Sequence, residues 1–230
     1  MTTESFGPVA QVTAEFLGTM FLLAAIVGSG AMAASLTDDV GLQLLQNALA
    51  TAATLGALIV TFGMISGAHF NPAVTVASRL LRRISTGTAA AFVAAQLAGA
   101  ATGVIVANVM FSRPAVERSA TGRAGAGLAL GEGVATFGLL AVVFCAGHFH
   151  RLPVVAAAVA TYIAGAFAFT SSTSFANPAV TMARTLTDSF AGIDPSSVPA
   201  FLIAQAIATG VAVVAVRALL SDGVDAGRPP

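Results

Sequence analysis

Ser66-Gly-Ala-His-Phe-Asn-Pro-Ala-Val-Thr-Val-Ala-Ser-Arg-Leu80 and Ser172-Thr-Ser-Phe-Ala-Asn-Pro-Ala-Val-Thr-Met-Ala-Arg-Thr-Leu186 agree at eight of fifteen positions. Such agreement within one chain marks an internal repeat. Pro72 and Pro178 lack an N–H and suit the first turn of a helix, which places Asn71 and Asn177 at the N-caps. Behind each proline the apolar run reaches Arg79 or Arg184 after about two turns, long enough for only half a membrane. Each segment must then begin near mid-membrane, where irregular backbone is tolerated only if it is buried in protein or lines a water-filled cavity. Asn-Pro can simply start a buried helix, but two copies at matched repeat positions favour a paired, functional arrangement.

The surroundings are those of a membrane protein. Of 230 residues 57% are hydrophobic and only 9% charged, far below the ~25% charged of soluble domains. All ten basic residues are Arg, scattered without a stripe that would meet phosphates, so nucleic acid is not an expected partner. Charge-free gaps locate the spans: 22 residues from Phe16 to Thr37, 39 from Val40 to Ser78, 29 from Ile84 to Ser112 and 32 from Leu152 to Ala183. A crossing takes roughly 20 residues. The 39- and 32-residue gaps are too long for one span and tight for two, and each ends in one of the repeated segments. The start of the chain, with Glu4 and no Lys or Arg before Gln11, is not expected to be a cleaved signal peptide. Cys145 is the only cysteine and reads as apolar packing.

The repeat extends beyond the Asn-Pro segments. Ala14-Glu-Phe-Leu-Gly-Thr-Met20 matches Gly131-Glu-Gly-Val-Ala-Thr-Phe137, and Phe92 with Ala95-Gln96 matches Phe201 with Ala204-Gln205. Each half reads as helix, helix, partial segment, helix. Three spans per half is an odd number, so the second half enters from the opposite side and the repeats are inverted. The expected fold is an all-α membrane protein of six spans plus two re-entrant half-helices: Pro8 to Ala34, Gln43 to Ile65, Gly87 to Phe111, Leu128 to Gly147, Pro153 to Thr170 and Pro199 to Leu220. The whole chain, 1–230, makes one channel domain, with repeats at about 8–111 and 128–221 and an Arg- and Gly-rich connector at about 112–127. Gly63-x-x-x-Gly67 and Gly99-x-x-x-Gly103 permit close helix approach.

In this arrangement the two short helices point their N-termini at each other, with Asn71 and Asn177 between them, as a pore constriction. Both helix dipoles present their positive ends there, and the amides offer donors to a passing oxygen. Cations, the proton included, are disfavoured. A water accepting from both amides would orient its neighbours away and interrupt a proton wire.

These residues resemble the aquaporin and glycerol-facilitator family, whose signature is a pair of Asn-Pro-Ala motifs, here Asn71-Pro72-Ala73 and Asn177-Pro178-Ala179. Ala14-Glu15-Phe16-Leu17-Gly18-Thr19 is similar to the family's first-helix motif, and the likeness covers nearly the whole chain. The resemblance implies six tilted spans, two half-helices, cytoplasmic termini in the plasma (inner) membrane, and a homotetramer with one pore per subunit. It also implies that Glu15 and Glu132 brace their own pore loops, a role that outweighs a proton relay because the spans hold no further ionisable groups. Gln96 and Gln205 read as polar packing beside the half-helices.

The filter departs from the family pattern. Most members carry Arg where this chain has Val180, and the family spacing assigns Thr51, Gly165 and Ser174 to the other filter positions. Such a set is wide and less positive, because Arg would bring a fixed charge and a fork of donors. Arg184, one turn beyond Val180, is a candidate to reach back. Small polyols fit this reading, and the stretch from Phe169 to Asn177 with Val180 resembles a bacterial subgroup linked to arsenic resistance, which implies neutral trivalent arsenicals as solutes.

His69, Phe70 and Phe175 are expected to line the pore; His69 is either a loop-shaping group or a proton-sensitive gate. His148 and His150 read as a solvated loop and no metal site is expected. Arg79, Arg82, Arg83, Arg151, Arg217 and Arg228 are placed on the cytoplasmic side, and Arg113, Arg118, Arg123 and Arg184 outside. The leading reading is a passive channel for water and small uncharged solutes in the lipid bilayer, without a cofactor. Runners-up are a secondary transporter built from inverted repeats and a non-conducting structural membrane protein. No nucleophile with a neighbouring base, phosphate loop or metal cluster suggests an enzyme.

Overall fold

A computed structural model describes residues 6–221; Glu4 and Arg228 lie outside them. The described chain is helical: α1 Pro8–Leu36, α2 Val40–Ser66, α3 Pro72–Leu80, α4 Thr86–Met110, α5 Ala126–Phe149, α6 Leu152–Phe169, α7 Pro178–Ala183 and α8 Val198–Ser221, with short 3₁₀ turns at Arg184–Leu186 and Pro195–Ser197. Six of these helices are long and apolar enough to cross a membrane. Their ends fall within three residues of the spans expected from the charge gaps.

Local chemistry sets the helix ends. Pro8, Pro72, Pro153 and Pro178 sit in the first turns of α1, α3, α6 and α7, where a missing N–H costs nothing. Asp39 caps α2 by accepting from Gly41 N at 2.8 Å, and Ser85 caps α4 by accepting from Thr88 N at 3.0 Å. α2 stops at Gly67, whose φ of +89° is left-handed.

Within the first half α1 packs on α2 and α4; within the second, α5 packs on α6 and α8. The halves join through α2 against α6 and through the half-helices, with α3 on α8 and α7 on α4. The close approach of α1 and α4 depends on glycine. A Cβ on Gly99 would stand 2.3 Å from Phe16 O, and one on Gly103 2.2 Å from Met20 O. The other small-residue pair divides its tasks: Gly63 seats Leu152 of α6, whereas Gly67 ends its helix.

The connector does more than join the halves. Glu117 N donates to Leu186 O at 3.0 Å, Ser119 N to Thr185 O at 3.1 Å, and Asp194 N donates to Thr121 O at 2.7 Å. It therefore clamps the segment that leaves α7. Outside, large apolar side chains such as Leu45, Leu130, Val154 and Ile207 are exposed, as a surface facing hydrocarbon requires.

Because backbone opposes Gly103, Gly103→Ala must push α1 from α4. The expected loss is about 1–3 kcal/mol, read as a lower thermal midpoint of the detergent-solubilised protein.

Candidate functional site

The pore begins with two loops that have no helix of their own and must still satisfy their backbone at membrane depth. Glu15 of α1 is fully buried and reaches the first loop. Its Oε1 accepts from Ser66 Oγ at 2.6 Å and His69 N at 2.9 Å; its Oε2 accepts from Phe70 N at 2.7 Å and Gln96 Nε2 at 2.7 Å. Glu132 of α5, equally buried, repeats the pattern on the second loop. It accepts from Phe175 N at 2.8 Å, Ala176 N at 2.9 Å and Gln205 Nε2 at 2.7 Å. Every partner is a donor, which suits an acceptor-only carboxylate. The glutamines continue each network into the half-helix behind it: Gln96 donates to Thr75 Oγ1 and Gln205 to Thr181 Oγ1, each at 2.9 Å.

The bracing holds backbone that L-residues avoid. Ala68 and Phe70 in one loop, and Ser174 and Ala176 at the matching places in the other, have φ between +47° and +52°. Each costs of order 1–3 kcal/mol and persists only where its surroundings over-determine it. Phe70 is further fixed by α1, because a Cβ on Gly18 would lie 2.0 Å from its ring.

Beyond the loops the half-helices meet end to end. Asn71 Oδ1 accepts from Ala73 N at 2.8 Å, and Asn177 Oδ1 from Ala179 N at 2.9 Å and Val180 N at 3.3 Å. Each amide nitrogen then crosses to the other half: Asn71 Nδ2 donates to Ala176 O and Asn177 Nδ2 to Phe70 O, both at 2.8 Å. An amide nitrogen has two hydrogens. One is committed to the opposite loop and one is left for the cavity that both asparagines line.

That cavity holds about 110 Å³ and runs from Gly67 and His69 past the asparagines to Val180 and Arg184. Its wall on α6 is Leu152, Val155, Val159, Ile163 and Phe167, one helical face. This oily wall opposite a few polar groups lets a neutral molecule pass without strong binding. Phe70 and Phe175 line it as expected, while Pro72, Ala73, Pro178 and Ala179 form the first turns behind the asparagines.

The two Asn-capped half-helices meeting across reciprocal hydrogen bonds decide the kinship. The chain belongs to the major intrinsic protein family. The family model matches residues 2–152. The chain is 45% identical to aquaglyceroporin AqpS of Rhizobium meliloti (strain 1021), across 94% of this chain and 93% of that one. It is 42% identical to aquaporin-2 of Rattus norvegicus over 41% of its length and 34% of the relative's. The X-ray structure of the aquaglyceroporin from Plasmodium falciparum superposes with a TM-score of 0.77 over 94% of this chain and 98% of that one, at 18% identity, a likeness of fold.

In this major intrinsic protein three of the four expected filter residues, Thr51, Ser174 and Val180, line the cavity. Gly165 does not: it is exposed on the outer side of α6, two residues from both Ile163 and Phe167. Two residues along an α-helix turn the side chain about 200°, so Ile163 and Phe167 replace Gly165 on the pore wall. The hydroxyls of Thr51 and Ser174 are buried without a protein partner.

His69 stands in the first loop and lines the cavity. Its Nδ1 lies 3.0 Å from Thr75 Oγ1 and its ring meets Phe92 edge-on at 5.5 Å. The same Thr75 Oγ1 accepts from Gln96 Nε2 at 2.9 Å. His148 and His150 are exposed at the junction of α5 and α6.

The residue that the motifs did not flag is Arg123 in the connector. Its Nε donates to Gly192 O at 2.9 Å, and its guanidinium lies 5.2 Å from the centre of the Phe175 ring. Burial lowers its pKa from the usual guanidinium value, against the nearby carboxylate of Glu132, which raises it. Its only sequence signal is a position in an Arg- and Gly-rich connector too polar for a span.

Glu15→Gln and Glu132→Gln each put an N–H where the loop already donates. Each should lose about 3 kcal/mol or more, with Glu15→Gln, which affects four donors, the worse. The check is the thermal midpoint of both variants, purified under the same conditions.

Proposed function

We propose that this protein is a passive channel for water and small uncharged solutes of the glycerol class, with arsenous acid among those that fit. The single observation that carries the reading is the continuous cavity lined by Asn71 and Asn177, one N–H of each amide being free toward it while the other is tied across the halves. The name of the Rhizobium meliloti relative, an aquaglyceroporin, points the same way.

Solute class follows from what the cavity wall offers. Val180, buried and facing the cavity, brings no charge at the position after the second motif. The second amide N–H of Asn71 and of Asn177 is left to donate to a hydroxylated molecule. Opposite them Ile163 and Phe167 give a carbon skeleton an apolar surface. One polar and one oily side suit polyols and small neutral hydroxides better than ions, whose hydration such a wall cannot replace. Thr51, Ser174 and Val180, with Ile163 and Phe167 in place of Gly165, are accordingly the proposed filter.

The bracing role of Glu15, Glu132, Gln96 and Gln205 is part of the same proposal, since the lining amides are positioned through the loops they hold. So is the assembly: a homotetramer in the plasma membrane with cytoplasmic termini, the arrangement that puts Arg79, Arg82, Arg83, Arg151 and Arg217 inside. Arg217 caps its side of the fold by donating to Leu80 O at 2.6 Å.

The test is solute flux in proteoliposomes. Glycerol, urea and arsenous acid should enter faster than into empty vesicles; equal rates for all three would end the channel reading. Val180→Arg should slow glycerol by roughly tenfold, the kinetic counterpart of about 1.4 kcal/mol of added steric and desolvation barrier. Unchanged glycerol entry would place the filter elsewhere.

A further inference from the structure

Val180 removes the cation from one position of the pore, yet the cavity is not without one. Arg184, four residues on, is 2% exposed and lines the same cavity as Val180, Ser174 and Asn177. Two contacts fix its inner part. Nε donates to Ala191 O, and the guanidinium carbon lies 3.5 Å from the centre of the Phe175 ring, a close cation–π contact. Phe175 is itself held by Glu132 through its backbone N–H, so the ring that carries Arg184 belongs to the braced loop.

The outer part of the guanidinium is free. Among the described residues its two terminal nitrogens have no hydrogen-bond partner, and they are not among the polar atoms sealed from solvent. No carboxylate stands within ion-pairing distance of Arg184 or Arg123 among the described residues, where the ion pair is Arg113 with Glu117. Arg123 lies on the same ring and adds positive charge. A buried guanidinium that lacks a counter-ion is costly unless its N–H groups find acceptors, and here the available acceptors are whatever occupies the cavity.

We propose that Arg184 is the channel's cation barrier and a donor station for neutral hydroxylated solutes, set one helical turn beyond the position that Val180 leaves empty. A passing solute oxygen accepts from its terminal N–H groups on its way to the amide donors of Asn177 and Asn71. A cation meets the guanidiniums of Arg184 and Arg123, which Glu132 opposes with a single carboxylate. The displacement separates two tasks: width at Val180 selects by size, and Arg184 selects by charge. This rests on the channel reading above.

The absence of lysine from the chain gives a test made after folding. Arg184→Lys keeps the cation and gives the variant a single lysine. Its flux of methylammonium in proteoliposomes should match wild type within about twofold, the range left by a retained charge. Acetylation with a small water-soluble reagent, followed by mass spectrometry, should modify the introduced amine and raise methylammonium flux roughly ten- to a hundredfold, as expected for removing one charge a few ångströms from the path. Glycerol flux should fall with the lost donors yet stay above that of empty vesicles, and wild type treated alike should not change. Arg184→Gln, neutral from the start, should show the same methylammonium leak. Acetylation of the introduced amine without added leak overturns the assignment, as does an amine that the reagent cannot reach or an Arg184→Gln channel that passes glycerol and still excludes methylammonium. Wild-type vesicles that pass no glycerol would instead defeat the channel reading itself.

Discussion

A carboxylate buried at membrane depth demands hydrogen-bond donors, and in this protein the groups placed to supply them are mainly the backbones of two loops that equally demand acceptors. Glu15 and Glu132 satisfy that mutual need. Each is fully buried and accepts three or four hydrogen bonds. The consequence is geometric: with two successive N–H groups of each loop fixed, the residue that follows them is the N-cap asparagine, aimed inward. The strained φ values at Phe70 and Ala176 are tolerated because the same residues donate to these carboxylates.

From that constraint the pore follows. The carbonyls of Phe70 and Ala176 accept from the asparagine of the opposite half, so each braced loop also sets the other half's amide. The amide is left one N–H for the pore, and its oxygen is occupied by its own helix. A group that can only donate orients a water by its oxygen and gives a proton no acceptor on the wall. Inverted repetition is therefore more than economy of folding: the two loops need each other's asparagines to satisfy their own carbonyls.

Much of this is legible in the sequence because it is written in rare residues. Two acidic residues in otherwise charge-free spans, and two Asn-Pro pairs at the ends of overlong gaps, leave few arrangements; Glu15 and Glu132 accept from their own loops, and Gln96 and Gln205 link each carboxylate to the half-helix behind it. Gly165 was not legible. Its assignment counts twelve residues back from Asn177 across a segment where Thr173, Ser174 and Ala176 have positive φ, and helical phase does not survive such a count. The apolar face Leu152, Val155, Val159, Ile163 and Phe167 does keep helical phase, but apolar residues cover every side of this helix in the sequence. Arg123 and the orientation of Arg184 were hidden for another reason. Both are set by the carbonyls of residues 190–192 and by the Phe175 ring, contacts between segments that no local pattern links.

Together these contacts imply a continuous aqueous path through one chain, interrupted for protons at the paired asparagines. Osmotic water flux and proton flux, followed in the same proteoliposomes over a range of temperatures, put both halves of that statement to the test. Water flux should stand well above that of empty vesicles, with a much weaker temperature dependence than lipid permeation, and the proton leak should equal that of empty vesicles. Water flux with the steep temperature dependence of bare lipid, or a proton leak rising in step with water, would contradict it.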